Sequence, residues 1–387
     1  MRWALLTFLC FVGFLGAQDV LSIWDTDSIF DYSWMDVETL WTADTSFTDI
    51  LGLDVLNLKV GEIRYTSFGG DSGNISIQGF FAYPAGSTEL PGFIVNHGII
   101  MDGELEMAMT FASGIRAFVL AISAPGHGTS EGGSAYHLAN LVRSYPDPRN
   151  NHFYQFAYAT MRGVNYMEHV SVVDPDWLGL LGFSGGADAC FLANGVDPRI
   201  VINVPIIPQT DFTCSGDEGG WMVNVMEVSG YTEDDSNVIN LQNWIAPINY
   251  APYQHGYTMM MVASQDEFEP LRCARNTYEV LDPDNSRWEI IGNFDHHCYF
   301  TPYGLLFDYA CFDNSDAFYL KILGNVNSLI EMLQLSLPVP ENPTIEAVDI
   351  GDSTEFRVYA GAAFWTSNDA DLWYSTDSAY TVASISM

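Results

Sequence analysis

Leu178-Gly179-Leu180-Leu181-Gly182-Phe183-Ser184-Gly185-Gly186-Ala187 is the stretch whose reading decides the fold. It opens as a short apolar run, the composition of a strand buried on both faces. Beyond it, residues 187–193 are mostly apolar and read as a helix. Between the two, Gly182-Phe183-Ser184-Gly185-Gly186 has the form G-x-S-x-G. Small residues on either side of the serine let strand and helix approach closely, so a tight turn can lift the hydroxyl to the rim of the sheet. The pattern alone is weak, because Gly128-Thr129-Ser130-Glu131-Gly132 matches it too. Context separates them. Ser130 lies amid Gly and Pro with no helix opening after it and reads as a loop serine; Ser184 reads as a nucleophile.

Outward from this turn, apolar runs recur at residues 92–96, 117–122, 200–204, 257–262 and 288–291, separated by longer amphipathic stretches. Alternation of this kind predicts an α/β fold with a mostly parallel central sheet and helices on both faces. Residues 62–68 and 74–83 alternate apolar and polar around Gly69-Gly70-Asp71-Ser72-Gly73, which predicts an antiparallel hairpin at the sheet edge. Residues 209–254 fall outside the repeat and read as a lid-like insertion or pocket wall. After a helix at 317–335, residues 337–343 are Pro-rich and read as a linker. The tail, 344–387, reads as a small β-rich extension with strand-like pieces at 355–359 and 370–374. The main domain is thus assigned to residues 18–336.

Arg2 followed by apolar residues to Leu15 and by Gly16-Ala17-Gln18 has the layout of a signal peptide over residues 1–17, with an uncleaved membrane anchor as the alternative. Export permits disulfides. Beyond the leader, Cys190 lies in the apolar helix and reads as a free thiol, while Cys214, Cys273, Cys298 and Cys311 allow three pairings. The 387 residues carry 49 acidic and 13 basic side chains, a formal net charge of −36. Such a surface repels nucleic acid and anionic membranes. Neither a nucleic-acid partner nor stable membrane insertion is expected.

A serine is a poor nucleophile until a base takes its proton, and a carboxylate must hold that base in orientation. In a sheet that presents its serine on such a turn, the chain order is serine, acid, histidine. Of the eight histidines, only His296 and His297 follow a strand-end acid beyond Ser184. His297, followed by Cys298-Tyr299, is the favoured base and His296 the alternative. Asp266, which follows the stretch 257–264, is the favoured acid; Glu269 and Asp211 are reserves and Glu267 a solvated neighbour. The oxyanion of a tetrahedral intermediate needs aimed donors. The backbone N–H groups of Gly185 and Ile99 are the candidates, with His97 in a structural role. No metal site is expected, and no cofactor.

Together, His97-Gly98, Ala124-Pro125-Gly126-His127-Gly128, the Ser184 turn, Asp266 and His297 resemble α/β-hydrolases. The sequence is most similar to the dienelactone hydrolase, acetyl xylan esterase and prolyl oligopeptidase branch, through Asp174-Pro175-Asp176-Trp177-Leu178-Gly179 and Asp197-Pro198-Arg199-Ile200. That resemblance implies a secreted serine hydrolase cleaving small-molecule or polysaccharide esters through a Ser-His-Asp triad and an acyl-enzyme. A serine peptidase of prolyl-oligopeptidase type uses the same triad and is the alternative, although no N-terminal propeller precedes the domain. A non-catalytic binding scaffold is the third reading.

Overall fold

The computed structural model describes residues 19–48, 55–291, 295–296, 315–339, 344–349, 354–359, 371–373 and 384–386. Nine strands form one sheet. β1 (Val37–Thr48), β2 (Val55–Phe68) and β3 (Asn74–Pro84) are antiparallel neighbours at one edge, and β3 also pairs antiparallel with β5 (Phe118–Ile122). From β5 the sheet runs parallel through β4 (Leu90–Asn96), β6 (Val173–Phe183), β7 (Ile200–Ile206), β8 (Tyr257–Ala263) and β9 (Ser286–Ile291).

Helices cover both faces, and the period-2 alternation of the strands assigns each side chain to one of them. Ile94, Leu120, Leu180 and Met260 pack on one side, with the buried faces of α2 (His152–Met167) and α3 (Gly185–Asn194). Val95, Val119, Leu181 and Met261 pack on the other, with α1 (Leu105–Ile115) and the helix at Ser315–Gln334. This is why the parallel strands read as unbroken apolar runs, since neither face meets water. The hairpin expected at the edge is present as β2 and β3. β1 lies outside it and was not expected, because its side chains are mostly exposed and carry little apolar pattern.

The chain passes from β4 to β5 on one side and returns to β6 on the other. At such a switch point the loops leaving adjacent strands part, opening a crevice beyond their carboxyl ends. Ser184 follows β6 directly, and His97 follows β4. Between β7 and β8 the insertion contributes α4 (Phe212–Asp217) and α5 (Trp221–Ser229). α6 (Leu271–Tyr278) joins β8 to β9, and the Ser315–Gln334 helix is α7. The tail contributes two antiparallel pairs, β10 (Thr344–Asp349) with β11 (Thr354–Tyr359), and β12 (Asp371–Trp373) with β13 (Ser384–Ser386). The leader assigned to residues 1–17 lies outside the described residues. Among those described, no helix is long and apolar enough to cross a membrane.

Cys214 in α4 and Cys273 in α6 form a disulfide across a separation of 59 residues, and Cys190 is a buried free thiol. Cys298 and Cys311 lie outside the described residues. The bridge ties the insertion to the helix that follows the Asp266 loop. Closing a loop of that length restricts the unfolded chain by about 4 kcal/mol. Replacing both cysteines by serine should lower the urea unfolding free energy by about that amount, with the slope of the transition recording the loosened denatured state. An unchanged midpoint would show that the bridge does not form.

Candidate active site

Ser184 is forced into its position by two close approaches. A Cβ on Gly182 would lie 2.4 Å from the Gly186 carbonyl oxygen, and one on Gly186 would lie 2.4 Å from the His97 carbonyl oxygen. Only hydrogen fits at either place. The turn between them carries Ser184 at φ 53°, a left-handed conformation that costs a non-glycine residue on the order of 1–3 kcal/mol. Local hydrogen bonds hold it there. The Ser184 N–H donates to the Ile206 carbonyl at 2.9 Å, and the Ala187 N–H donates back to the Ser184 carbonyl at 2.7 Å.

The hydroxyl so presented donates to His296 Nε2 at 2.8 Å. His296 Nδ1 in turn donates to the Asp266 carboxylate, 2.9 Å from Oδ2 and 3.0 Å from Oδ1. Both side chains are almost completely buried, at 3% exposure each. Asp266 is itself held by the backbone N–H groups of Phe268 and Glu269, each 2.9 Å from Oδ1. The His296 N–H donates to Glu267 Oε2 at 3.0 Å, and the Phe268 ring meets the imidazole edge-on with centroids 4.8 Å apart. The imidazole against Ser184 is therefore that of His296, the alternative of the adjacent pair, whereas the favoured His297 lies outside the described residues. The Cys298-Tyr299 pattern that favoured His297 describes the chain beyond the pair and carries no information about which ring the loop turns inward.

The remaining candidates separate cleanly. Glu269 does not reach His296: its Oε1 accepts from the Thr210 N–H at 2.8 Å and the Thr210 hydroxyl at 2.9 Å. Asp211 caps α4 through the Cys214 N–H at 3.0 Å. Glu267, read as a solvated neighbour, is exposed yet holds the His296 backbone. Ser130 Oγ accepts from the Gln78 N–H and donates to the Ser123 carbonyl, both at 2.9 Å, which is a structural use.

Gly185 opens α3, where first-turn N–H groups have no intrahelical acceptor and the helix dipole favours negative charge. Ile99 sits inside a turn closed by the Met101 N–H on the Gly98 carbonyl at 3.0 Å, a bond in which its own N–H takes no part. The two loops touch, for a Cβ on Gly185 would lie 2.3 Å from Ile99 Cγ1. His97 braces this loop, with Nδ1 donating to the Gly98 carbonyl at 2.7 Å and Nε2 accepting the Ala124 N–H at 2.9 Å. Burial pulls its pKa down to about 3, which keeps the ring neutral.

Two polar residues beside the serine were not picked out from the sequence. Gln209 Nε2 lies 3.4 Å from Ser184 Oγ and donates to the Ile207 carbonyl at 3.1 Å. Its backbone N–H donates to Asp188 Oδ1 at 2.8 Å. A carboxyl amid the apolar residues of α3, and a polar residue three positions past the end of β7, were the available signals. Asp188 is fully buried, and burial raises its carboxyl well above the ordinary range. Among the described residues no group of three or more His, Cys, Asp or Glu is placed to hold a metal ion.

Burial also pushes the Glu269 carboxyl up from 4.5 to about 8. The folded state therefore keeps a proton that the unfolded chain has released, so stability falls as pH rises from about 4.5 to 8. The buried histidines act alike in the wild type and in a Glu269 variant, so the difference between the two isolates this carboxyl. Glu269→Gln mimics the protonated acid. Urea unfolding should show the wild type losing on the order of 1 kcal/mol more than this variant between pH 6.5 and 8. Equal losses would mean that the carboxyl is already ionised.

No protein-family model matches the sequence, and no curated protein matches it. Solved structures do resemble it. An acetyl xylan esterase from Paenibacillus sp. R4 is 18% identical, over 73% of this chain and 90% of that one, with a TM-score of 0.58. Acetyl xylan esterase 1 from Thermoanaerobacterium sp. JW/SL YS485 is 16% identical, over 79% and 94%, with a TM-score of 0.59. The acylaminoacyl peptidase of Pyrococcus horikoshii is 13% identical, over 72% of this chain and 42% of that one, at a TM-score of 0.52. At such identities the likeness speaks to architecture alone. This chain has the α/β-hydrolase fold.

Proposed function

We propose that the protein is a serine hydrolase that cleaves carboxylic esters. The observation that carries this reading is the unbroken chain of short hydrogen bonds from Ser184 Oγ through His296 to Asp266. In the proposed reaction His296 Nε2 takes the hydroxyl proton as Ser184 Oγ bonds to the ester carbonyl carbon. The carbonyl oxygen gains the negative charge, and the N–H groups of Gly185 and Ile99 stabilise it. Collapse breaks the carbon–oxygen bond to the alcohol, which leaves with the proton from His296. Water then attacks the acyl-enzyme, His296 takes its proton and returns one to Ser184, and the carboxylic acid departs. Asp266 fixes the tautomer and supports the transient imidazolium without accepting the proton.

Similarity to two acetyl xylan esterases supports an ester over other acyl substrates. An exported location is part of the same proposal, supported by the leader-like residues 1–17 and by the Cys214–Cys273 bridge, which suits an oxidising compartment. An N-terminus at Gln18 on protein recovered from the medium is the expected result; retention of Met1 there would contradict cleavage.

Steady-state kinetics on p-nitrophenyl esters test the mechanism. Ser184→Ala and His296→Ala should each reduce kcat by about 10⁴- to 10⁶-fold while thermal unfolding stays cooperative. His297→Ala should keep activity within about tenfold of wild type. The reverse order of the two histidine variants would overturn the assignment of the base. Turnover of prolyl peptides in preference to every ester would favour the peptidase alternative.

A further inference from the structure

A cavity of about 340 Å³ opens directly from Ser184 and His296. Its walls come from three parts of the chain. Ile99 and Ile100 follow β4, Leu138 and Leu141 follow β5, and Trp221, Val225 and Val228 lie on α5. Phe268 closes it beside the imidazole. Among the described residues, Gln209 and Asn224 are the polar side chains that line it besides Ser184, His296 and the indole N–H of Trp221. Among the described residues no carboxylate and no cation lines it, in a chain whose formal charge is −36. The apolar surface continues outward, since Val228 and Ile100 at the cavity are 70% and 53% exposed.

Size and chemistry argue together. The methyl of an acetyl group has the bulk of roughly one water, about 30 Å³ in the liquid. The cavity is on the order of ten times larger. A sugar ring buried there would lose the water bound to its hydroxyls and find few polar groups in exchange, which is unfavourable. An alkyl or arylalkyl group of up to roughly ten carbons would fill it and be stabilised by leaving water.

Building on the hydrolase reading, we propose that this cavity selects substrates by a medium-sized apolar group carried on the ester. Simple acetates of carbohydrates are therefore poor substrates. α5 sets the depth of the site, with Val225 in its wall and Val228 at its mouth. The apolar group could be borne on the acyl or on the alcohol side of the ester, and the two arms of the test separate these.

The test uses the full chain. One arm compares p-nitrophenyl esters from acetate to decanoate; the other compares acetates of linear alcohols of the same lengths. In one arm kcat/KM should rise about fourfold per methylene, up to a limit near eight to ten carbons. Val225→Trp should shorten that limit by two or more carbons, cutting the octanoate-to-acetate ratio, or its alcohol equivalent, at least tenfold. Val228→Lys, on an exposed position that folding tolerates, should depress the same ratio by placing a charge at the mouth. A profile flat in both arms, or best at two carbons, would overturn the proposal, as would an unchanged limit in Val225→Trp. Labelling of Ser184 by a fluorophosphonate keeps the outcomes distinct. Labelling with an acetate-only profile rejects the apolar site alone, whereas absence of both labelling and ester turnover rejects the hydrolase reading itself.

Discussion

The site rests on one backbone conformation held against its own preference. Ser184 at φ 53° is unfavourable for a residue with a Cβ, and its local hydrogen bonds to Ile206 and Ala187 act together with packing to keep it there. The packing is the close contact of α3 with the carboxyl ends of β4 and β6, made possible where Gly182 and Gly186 bring no side chain. That contact also brings the Gly98–Met101 turn against Gly185, so the presentation of the hydroxyl and the placing of two backbone N–H donors have one cause. The strand crossover between β4 and β6 supplies the opening above them. A methyl group at either glycine would act on all of these at once.

Around this turn several buried titratable groups are held in their neutral forms, in contrast to the charged surface. Burial holds Glu269 and Asp188 toward their protonated forms and His97 toward its neutral one, and each then serves as a bonding group for a loop backbone. His152 is likewise pulled down to about 3 by burial. The scarce arginines are spent on structure. Arg162 donates to the carbonyls of Ile29 and Asp31, strapping the described N-terminal segment onto α2. Arg199 bridges Asp197, Glu168 and Asn165 where β7 begins. Titration of the carboxyls and of the histidines pulls stability in opposite directions with pH, because one set is held protonated and the other deprotonated.

The parallel strands could be read from sequence because burial on both faces leaves an unbroken apolar run, and the serine turn because close packing demands glycine. The edge strand β1 lacks either mark; its backbone completes the hydrogen-bond ladder of β2 while its side chains stay mostly exposed. Asp266 was legible from its place just past the end of β8. The choice within His296-His297 was not, since the two share chain order and loop, and nothing in the sequence shows that the His296 N–H donates to Glu267 or that its ring stands against Ser184. Gln209 and Asp188 were hidden for a related reason. Their bond to each other spans two elements, and neither residue belongs to the serine–acid–histidine pattern.

The most direct test of the account is a crystal structure of the protein after reaction with an alkyl fluorophosphonate. The account predicts phosphorus bonded to Ser184 Oγ, the phosphoryl oxygen within hydrogen-bonding distance of the Gly185 and Ile99 N–H groups, and His296 still seated on Asp266. An adduct on another residue, or a phosphoryl oxygen turned away from both N–H groups, would contradict it.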